Sequence, residues 1–241
     1  MMEQEKPRLI IVAGPNGSGK TTITEKLLRH EWMNSCEYIN PDFIAQNEFG
    51  DWNSPEAVIN AANKAKLIRE NCLQNMTSMA FETVFSSKEK LDFVQRAKKA
   101  DFFIRLFFVC TNDPTINAQR VAQRVMEGGH DVPIPKIISR YYKSISNCVQ
   151  SLPWVDRIYF YDNSEADRDP QLLFRINDGN ITKNYANNNM PHWAKHTTQG
   201  QLLTLFLEIF QLQLLSQYLL LFHIPHIQHE SEQERVHAYT F

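Results

Sequence analysis

Eight consecutive residues, Gly14-Pro15-Asn16-Gly17-Ser18-Gly19-Lys20-Thr21, fit the pattern G-x-x-x-x-G-K-[ST]. Each position has a physical task around a phosphate. Glycines let successive backbone N–H groups curl around phosphate oxygens. A helix opening at Lys20 would add the partial positive charge of its N-terminus. Lys20 is placed to reach the β- and γ-phosphates, Thr21 to offer its hydroxyl to Mg²⁺, and Thr22 to add a further contact. The pattern therefore predicts a site for ATP with Mg²⁺ spanning residues 14–22.

A phosphate loop alone does not distinguish a kinase from an ATPase or a switch protein. Chemistry-bearing residues elsewhere narrow the choice. Asn40-Pro41-Asp42 follows the short predicted strand Glu37–Ile39. A carboxylate there has two roles open to it: general base toward an attacking hydroxyl, or N-cap of a helix starting at Phe43. Glu82 and Thr83 end another short run and are candidates, with Asn40, for holding a polar substrate. Arg120 and Arg124 are spaced i, i+4, so one helix face presents both. That face could stabilise charge on a transferring phosphoryl group or be a solvated basic stripe. His130, in the Gly128–Pro133 loop, and Arg140, on the polar face of the next helix, are further substrate-side candidates. Asp162-Asn163-Ser164 ends the last core strand and could lie beside a nucleotide base or simply form a turn.

The elements that must position these groups follow from periodicity. Arg8–Ala13 is an apolar run of buried-strand length directly before the loop. Further strands are predicted at Glu37–Ile39, Met79–Glu82, Phe102–Cys110 and Asp156–Tyr161. Helices are predicted from Lys20 to His30, from Ser54 (as N-cap) with Val58, Ala61, Ala65, Ile68 and Cys72 as its core face, from a Ser86-x-x-Glu89 capping box, from Asp113-Pro114 with Ala118, Val121 and Val125 inward, and from Pro135 to Val149. Asp178-Gly179 between Leu172–Ile176 and Asn180–Lys183 predicts a hairpin. Strands alternating with helices imply an α/β fold with three layers, a parallel sheet covered by helices on both faces.

The chain has 241 residues, 43% of them apolar, and a formal charge of −2. No global field favours nucleic acid, which leaves only a local basic patch as a possibility. The widely spaced cysteines Cys36, Cys72, Cys110 and Cys148 form no CxxC and read as core thiols of a reducing, cytoplasmic setting. No apolar leader is visible at the N-terminus. A boundary is expected near Asn187, dividing a catalytic domain at 1–186 from a tail at 187–241. The tail's leucine-rich Gln201–Phe222 is interrupted by Glu208 and glutamines, so an amphipathic or self-associating helix is expected rather than a membrane span. His223, His226, His229 and His237 cluster there without completing a metal-ligand set.

Taken together, Gly14–Thr21, Asn40–Asp42, Phe81–Thr83, Arg120-Val121-x-x-Arg124, Gly129–Pro133 and Arg140-Tyr141 resemble the zeta toxin family of P-loop kinases. The resemblance covers residues 8–186. It implies a P-loop kinase fold, ATP and Mg²⁺, and transfer of phosphate to the 3′-hydroxyl of the amino sugar in UDP-N-acetylglucosamine. It further implies Asp42 as general base, Glu82 and Thr83 near the sugar, Arg120 and Arg124 as lid charges, and a protein antitoxin as partner. The chain departs from the larger toxins at Gly128-Gly129-His130, where they carry a second arginine, and in its leucine-rich tail. Other readings are a P-loop ATPase or switch acting through a partner, or a kinase of another hydroxyl such as a nucleoside or an antibiotic.

Overall fold

The computed structural model describes residues 5–49, 54–129, 131–185, 190, 191, 193 and 194. His130, the leucine-rich run and the tail histidines lie outside the described residues. A seven-stranded sheet runs in the order β2-β3-β1-β4-β5-β6-β7. Its strands are β1 (Arg8–Ala13), β2 (Glu37–Ile39), β3 (Met79–Thr83), β4 (Phe103–Cys110), β5 (Arg157–Asp162), β6 (Gln171–Asn177) and β7 (Asn180–Asn184). The helices are α1 (Lys20–Leu28), α2 (Pro41–Glu48), α3 (Pro55–Gln74), α4 (Lys88–Lys99), α5 (Pro114–Met126) and α6 (Ile134–Ser151).

β1 to β5 pair in parallel, so their C-terminal ends share one edge of the sheet. The expected hairpin forms and joins the sheet antiparallel to β5. Its turn residues Asp178 and Gly179 both have positive φ, 46° and 77°. That conformation matches the right-handed twist of the flanking strands. The sheet is therefore mixed, with the α/β three-layer plan intact.

Alternation along the strands sorts side chains to two faces. One face holds the larger core, in which Phe81, Phe93, Phe108, Phe160 and Phe174 pack with residues of α3, α4 and α6. The other draws its buried helical residues, Ile23 and Leu27, from α1. Trp193 and Ala194 belong to the larger core, with Trp193 against Phe108 and Phe160 and its Nε1 donating to Asp162 Oδ1 at 3.1 Å. Residues beyond the boundary expected at 186 thus contribute to the same core.

Several local expectations shift. In α3 the buried face is Ala57, Ala61, Ala65, Arg69 and Cys72, while Val58 is exposed and Ile68 half-buried. Of the alanines, Ala65 joins the larger core, and the Arg69 guanidinium lies over the Phe81 ring. The capping box at Ser86 does not form. Ser87 is the N-cap of α4, without a side-chain cap bond. The turn before it is set by Phe85, at φ 59°, whose N–H donates to Thr83 Oγ1 at 3.1 Å. In α5 the inward face is Asn117 and Val121. The cysteines are free thiols, as expected. Among the described residues no helix is long and apolar enough to cross a membrane.

Candidate active site

β1 lies between β3 and β4, at the point where the strand order reverses, and the phosphate loop leaves its C-terminal end. In open α/β sheets this crevice is where ligands bind. The loop is held too tightly to admit side chains at its glycines. A Cβ on Gly14 would stand 2.0 Å from the Val109 carbonyl oxygen, one on Gly17 2.6 Å from that of Asn117, and one on Gly19 2.1 Å from Asn163 Nδ2. Gly17 and Gly19 also have φ of 73° and 88°. Each requirement excludes other residues.

The loop's backbone is tied down from several elements. Gly14 N–H donates to the Thr83 carbonyl at 3.2 Å. Asn117 Nδ2 donates to the Asn16 carbonyl at 2.6 Å, and Asn163 Nδ2 to the Ser18 carbonyl at 2.9 Å. Asn117 is fully buried, and its Oδ1 accepts from the Thr111 hydroxyl. Tyr141 in turn donates to the Thr111 carbonyl at 2.6 Å. Thr111, Asn117 and Tyr141 therefore form a buried polar brace beneath the loop. Sequence reasoning passed over Asn117. The available signal was its place four residues before Val121, a polar side chain on the core stripe of an amphipathic helix. Truncating it leaves buried partners unsatisfied, at about 1–3 kcal/mol. Asn117→Ala is therefore expected to lower stability by that amount in urea melts and to weaken ATP binding at least several-fold.

The loop fits a polyphosphate. Ser18 Oγ is buried with no hydrogen-bond partner. Lys20 Nζ donates to the Pro15 carbonyl at 2.9 Å, across the loop's own mouth. Thr21 is exposed in the first turn of α1 and would supply a hydroxyl oxygen to Mg²⁺. Desolvation pushes the Lys20 ammonium down to about 8, with Glu82 opposing the shift and Arg124 and Arg140 adding to it. Glu82, Arg124 and Arg140 are thus the charges gathered around Lys20.

That depressed value has a consequence for binding. Free Lys20 loses its proton as pH rises through about 8, whereas triphosphate oxygens favour the charged form. ATP binding near pH 8–9 is accordingly expected to take up protons. Calorimetric titrations in two buffers of different ionisation enthalpy measure that uptake, and it should vanish near pH 6, where Lys20 is already charged.

On the other flank, Asn40 caps α2, its Oδ1 accepting from Asp42 N–H at 2.8 Å. The alternative in which Asp42 is itself the cap is thereby corrected. Asp42 sits in the first turn, exposed, its carboxylate not spent on capping. Asn40 Nδ2 also donates to the Tyr38 hydroxyl at 3.2 Å, and that hydroxyl donates to Glu82 Oε1 at 3.4 Å. Burial and the neighbouring Glu82 charge push the Tyr38 hydroxyl up to about 12, with Asp42 contributing. Asp42, Tyr38 and Glu82 therefore line one flank and lead toward Lys20. Thr83 is engaged locally, its hydroxyl with Phe85 and its carbonyl with Gly14.

The arginines divide. Arg140 Nη1 donates to Asn16 Oδ1 at 3.2 Å, and burial holds its guanidinium below the usual value. Arg124 is exposed beside the loop. Arg120 instead donates to the Asn163 carbonyl at 2.8 Å and the Glu165 carbonyl at 3.3 Å. It steadies the turn after β5 whose Asn163 grips the loop.

Comparisons with known proteins bear on the fold that carries the loop. A family model described as an AAA domain matches residues 9–141. An uncharacterised Haemophilus influenzae protein is 27% identical over 135 residues, covering 56% of this chain and 92% of that protein. Among solved structures, the AvrRxo1-ORF1:ORF2 complex superposes with a TM-score of 0.59 at 20% identity, covering 81% of this chain. The present chain spans 65% of that one, and the complex has also been solved with ATP. The PezAT toxin-antitoxin structure of Streptococcus pneumoniae superposes with a TM-score of 0.52 at 16% identity, covering 90% of this chain and 88% of that one. At these identities the superpositions establish a shared α/β P-loop fold. With more than half its length matched by the family model, this chain belongs to the AAA-domain family of P-loop proteins.

Proposed function

We propose that the protein is an ATP- and Mg²⁺-dependent phosphotransferase that moves the γ-phosphate to a hydroxyl of a small molecule. The carrying observation is the arrangement across the crevice. A carboxylate not used for capping, Asp42, stands on one flank, linked through Tyr38 and Glu82 to the neighbourhood of Lys20, with Arg124 and Arg140 gathered on the phosphate side. An acceptor hydroxyl between the flanks gives its proton to Asp42. Its oxygen bonds to the γ-phosphorus as the bond to the ADP oxygen breaks. Lys20 neutralises the β- and γ-oxygens, and Arg124 and Arg140 take up charge on the transferring group. Mg²⁺, held on the Thr21 side, supplies further neutralisation of the phosphate oxygens.

The sugar of UDP-N-acetylglucosamine or a related nucleotide sugar is the acceptor we favour, with Asn40, Glu82 and Thr83 on its side. The zeta toxin resemblance and the likeness to a toxin-antitoxin structure support this reading, and they support an antitoxin as the protein partner. Incubation with ATP and a panel of UDP-sugars, nucleosides and aminoglycosides, read by mass spectrometry, tests it. A gain of one phosphate on a UDP-sugar is expected. Release of inorganic phosphate alone would replace it with an ATPase acting through a partner.

A further inference from the structure

Two glycines follow α5, and the structure gives them different tasks. The helix closes with Gly128 N–H donating to the Val125 carbonyl at 3.0 Å and Gly129 N–H donating to the Arg124 carbonyl at 2.9 Å. Such a paired closure needs one residue in the left-handed conformation. Gly128 is that residue, at φ 90°, and a Cβ on it would meet nothing within 4 Å. It is glycine for the sake of the backbone. Gly129 does not share the positive φ. Alanine would meet no conformational penalty of that kind there, so backbone torsion does not account for the second glycine.

Arg124 accounts for it. A Cβ on Gly129 would stand 2.7 Å from Arg124 Cγ, 3.0 Å from the Arg124 carbonyl oxygen and 3.3 Å from its Cδ. Carbon atoms settle about 3.5–4.0 Å apart, so the contact with Cγ is too close for a small adjustment. Cγ is the first atom beyond Cβ, and clearing it requires turning χ1 to another staggered well. That turn carries the guanidinium to a different place. The bare backbone of Gly129 therefore lies along the Arg124 stem and keeps the side chain in its present rotamer. The head of that side chain matters to the phosphate loop. Its charge bears on Lys20, as does that of Arg140, which bonds Asn16 Oδ1 in the loop.

We propose that Gly129 is a positioning residue for phosphoryl transfer: its missing side chain seats the Arg124 stem against the end of α5 and so aims the guanidinium at the terminal phosphate of the bound nucleotide. The inference rests on the phosphotransfer reading above, in which Arg124 takes up charge on the transferring group. Arg124 is exposed, and an exposed arginine has many rotamers open to it. A donor that has to be ordered when the reaction occurs stabilises charge less than one already in place. Seating the stem supplies that order without adding a contact to the head.

The test compares Gly129→Ala with Gly128→Asn in the full chain, asparagine being a side chain that the left-handed position tolerates. Gly129→Ala is expected to lower kcat at least several-fold and to reduce the preference for ATP over ADP in equilibrium binding, with ADP affinity unchanged. Gly128→Asn should leave kcat and that preference as they are. A purely structural defect at the helix end would instead weaken ATP and ADP alike. In an Arg124→Ala background, Gly129→Ala should cost nothing further in either measurement, because two changes that act through one group are not additive. A preference for ATP in Gly129→Ala equal to that of the wild type would overturn the proposal. So would equal losses in the two glycine variants, or additive losses in the Arg124→Ala background. The nucleotide comparison needs no acceptor, so it decides the seating of Arg124 even where the acceptor panel yields no product and the phosphotransfer reading fails.

Discussion

Lys20→Ala is expected to lower kcat/KM for phosphotransfer by about 10²–10³-fold, the range for removing one preorganised charge-stabilising donor. The same substitution is expected to raise the melting temperature of the nucleotide-free protein. Both effects come from one cause. The ammonium is desolvated and sits near Arg124 and Arg140, so the fold disfavours its charge until phosphates arrive. Below about pH 8 the wild-type protein carries that penalty in full, and above it the penalty falls as Lys20 deprotonates. The stability gain from Lys20→Ala should therefore shrink as pH rises toward 10. Steady-state kinetics beside thermal melts at pH 7 and pH 9.5 make the comparison. Equal melting temperatures at pH 7 would mean that Lys20 is better solvated than its surroundings indicate.

Asp42→Asn should reduce kcat by about 10²–10⁴-fold, the usual contribution of a positioned general base. ATP affinity should stay within about twofold, because nothing on the phosphate side changes. The substitution is close to isosteric, and the α2 cap survives because Asn40 forms it through the Asp42 N–H, which an asparagine keeps. Folding loss is thus separated from loss of chemistry. Single-turnover transfer to the acceptor found in the substrate panel, beside equilibrium ATP binding, reads the two quantities. Retention of full transfer would move the base to another group, with Glu82, which accepts from Tyr38 on the same flank, the next to be tested.

How much of this was legible in the residues varied with the range of the forces involved. The strands around the crevice and the loop between them were visible because they depend on local signals: apolar runs, glycines at fixed spacing, Ser54 and Asp113 as caps, and Asp178-Gly179 as a turn. What escaped depends on contacts distant in sequence. Asn117 reads as an ordinary polar helix residue until Asn16, about a hundred positions earlier, is folded onto it. Arg120 and Arg124 share a helix face and look equivalent. Only the turn at Asn163–Glu165 decides that the first is occupied with backbone carbonyls. The misplaced start of α4 has the same origin, since Thr83 and Phe85 build a tight turn that displaces the cap by one residue. Val58 was chosen for its hydrophobicity, whereas the face of α3 that is buried carries Ala57 and Ala61.

The indole seated on Phe108 and Phe160 has a practical meaning for anyone handling this molecule. Its nitrogen is bonded to Asp162, and the next residue, Asn163, holds the Ser18 carbonyl of the nucleotide loop. Trp193 is therefore a native chromophore wired to the mouth of the crevice by two consecutive side chains. A shortened version ending at 186 would discard that reporter and open a hole over two phenylalanines, so trimming has to begin after Ala194.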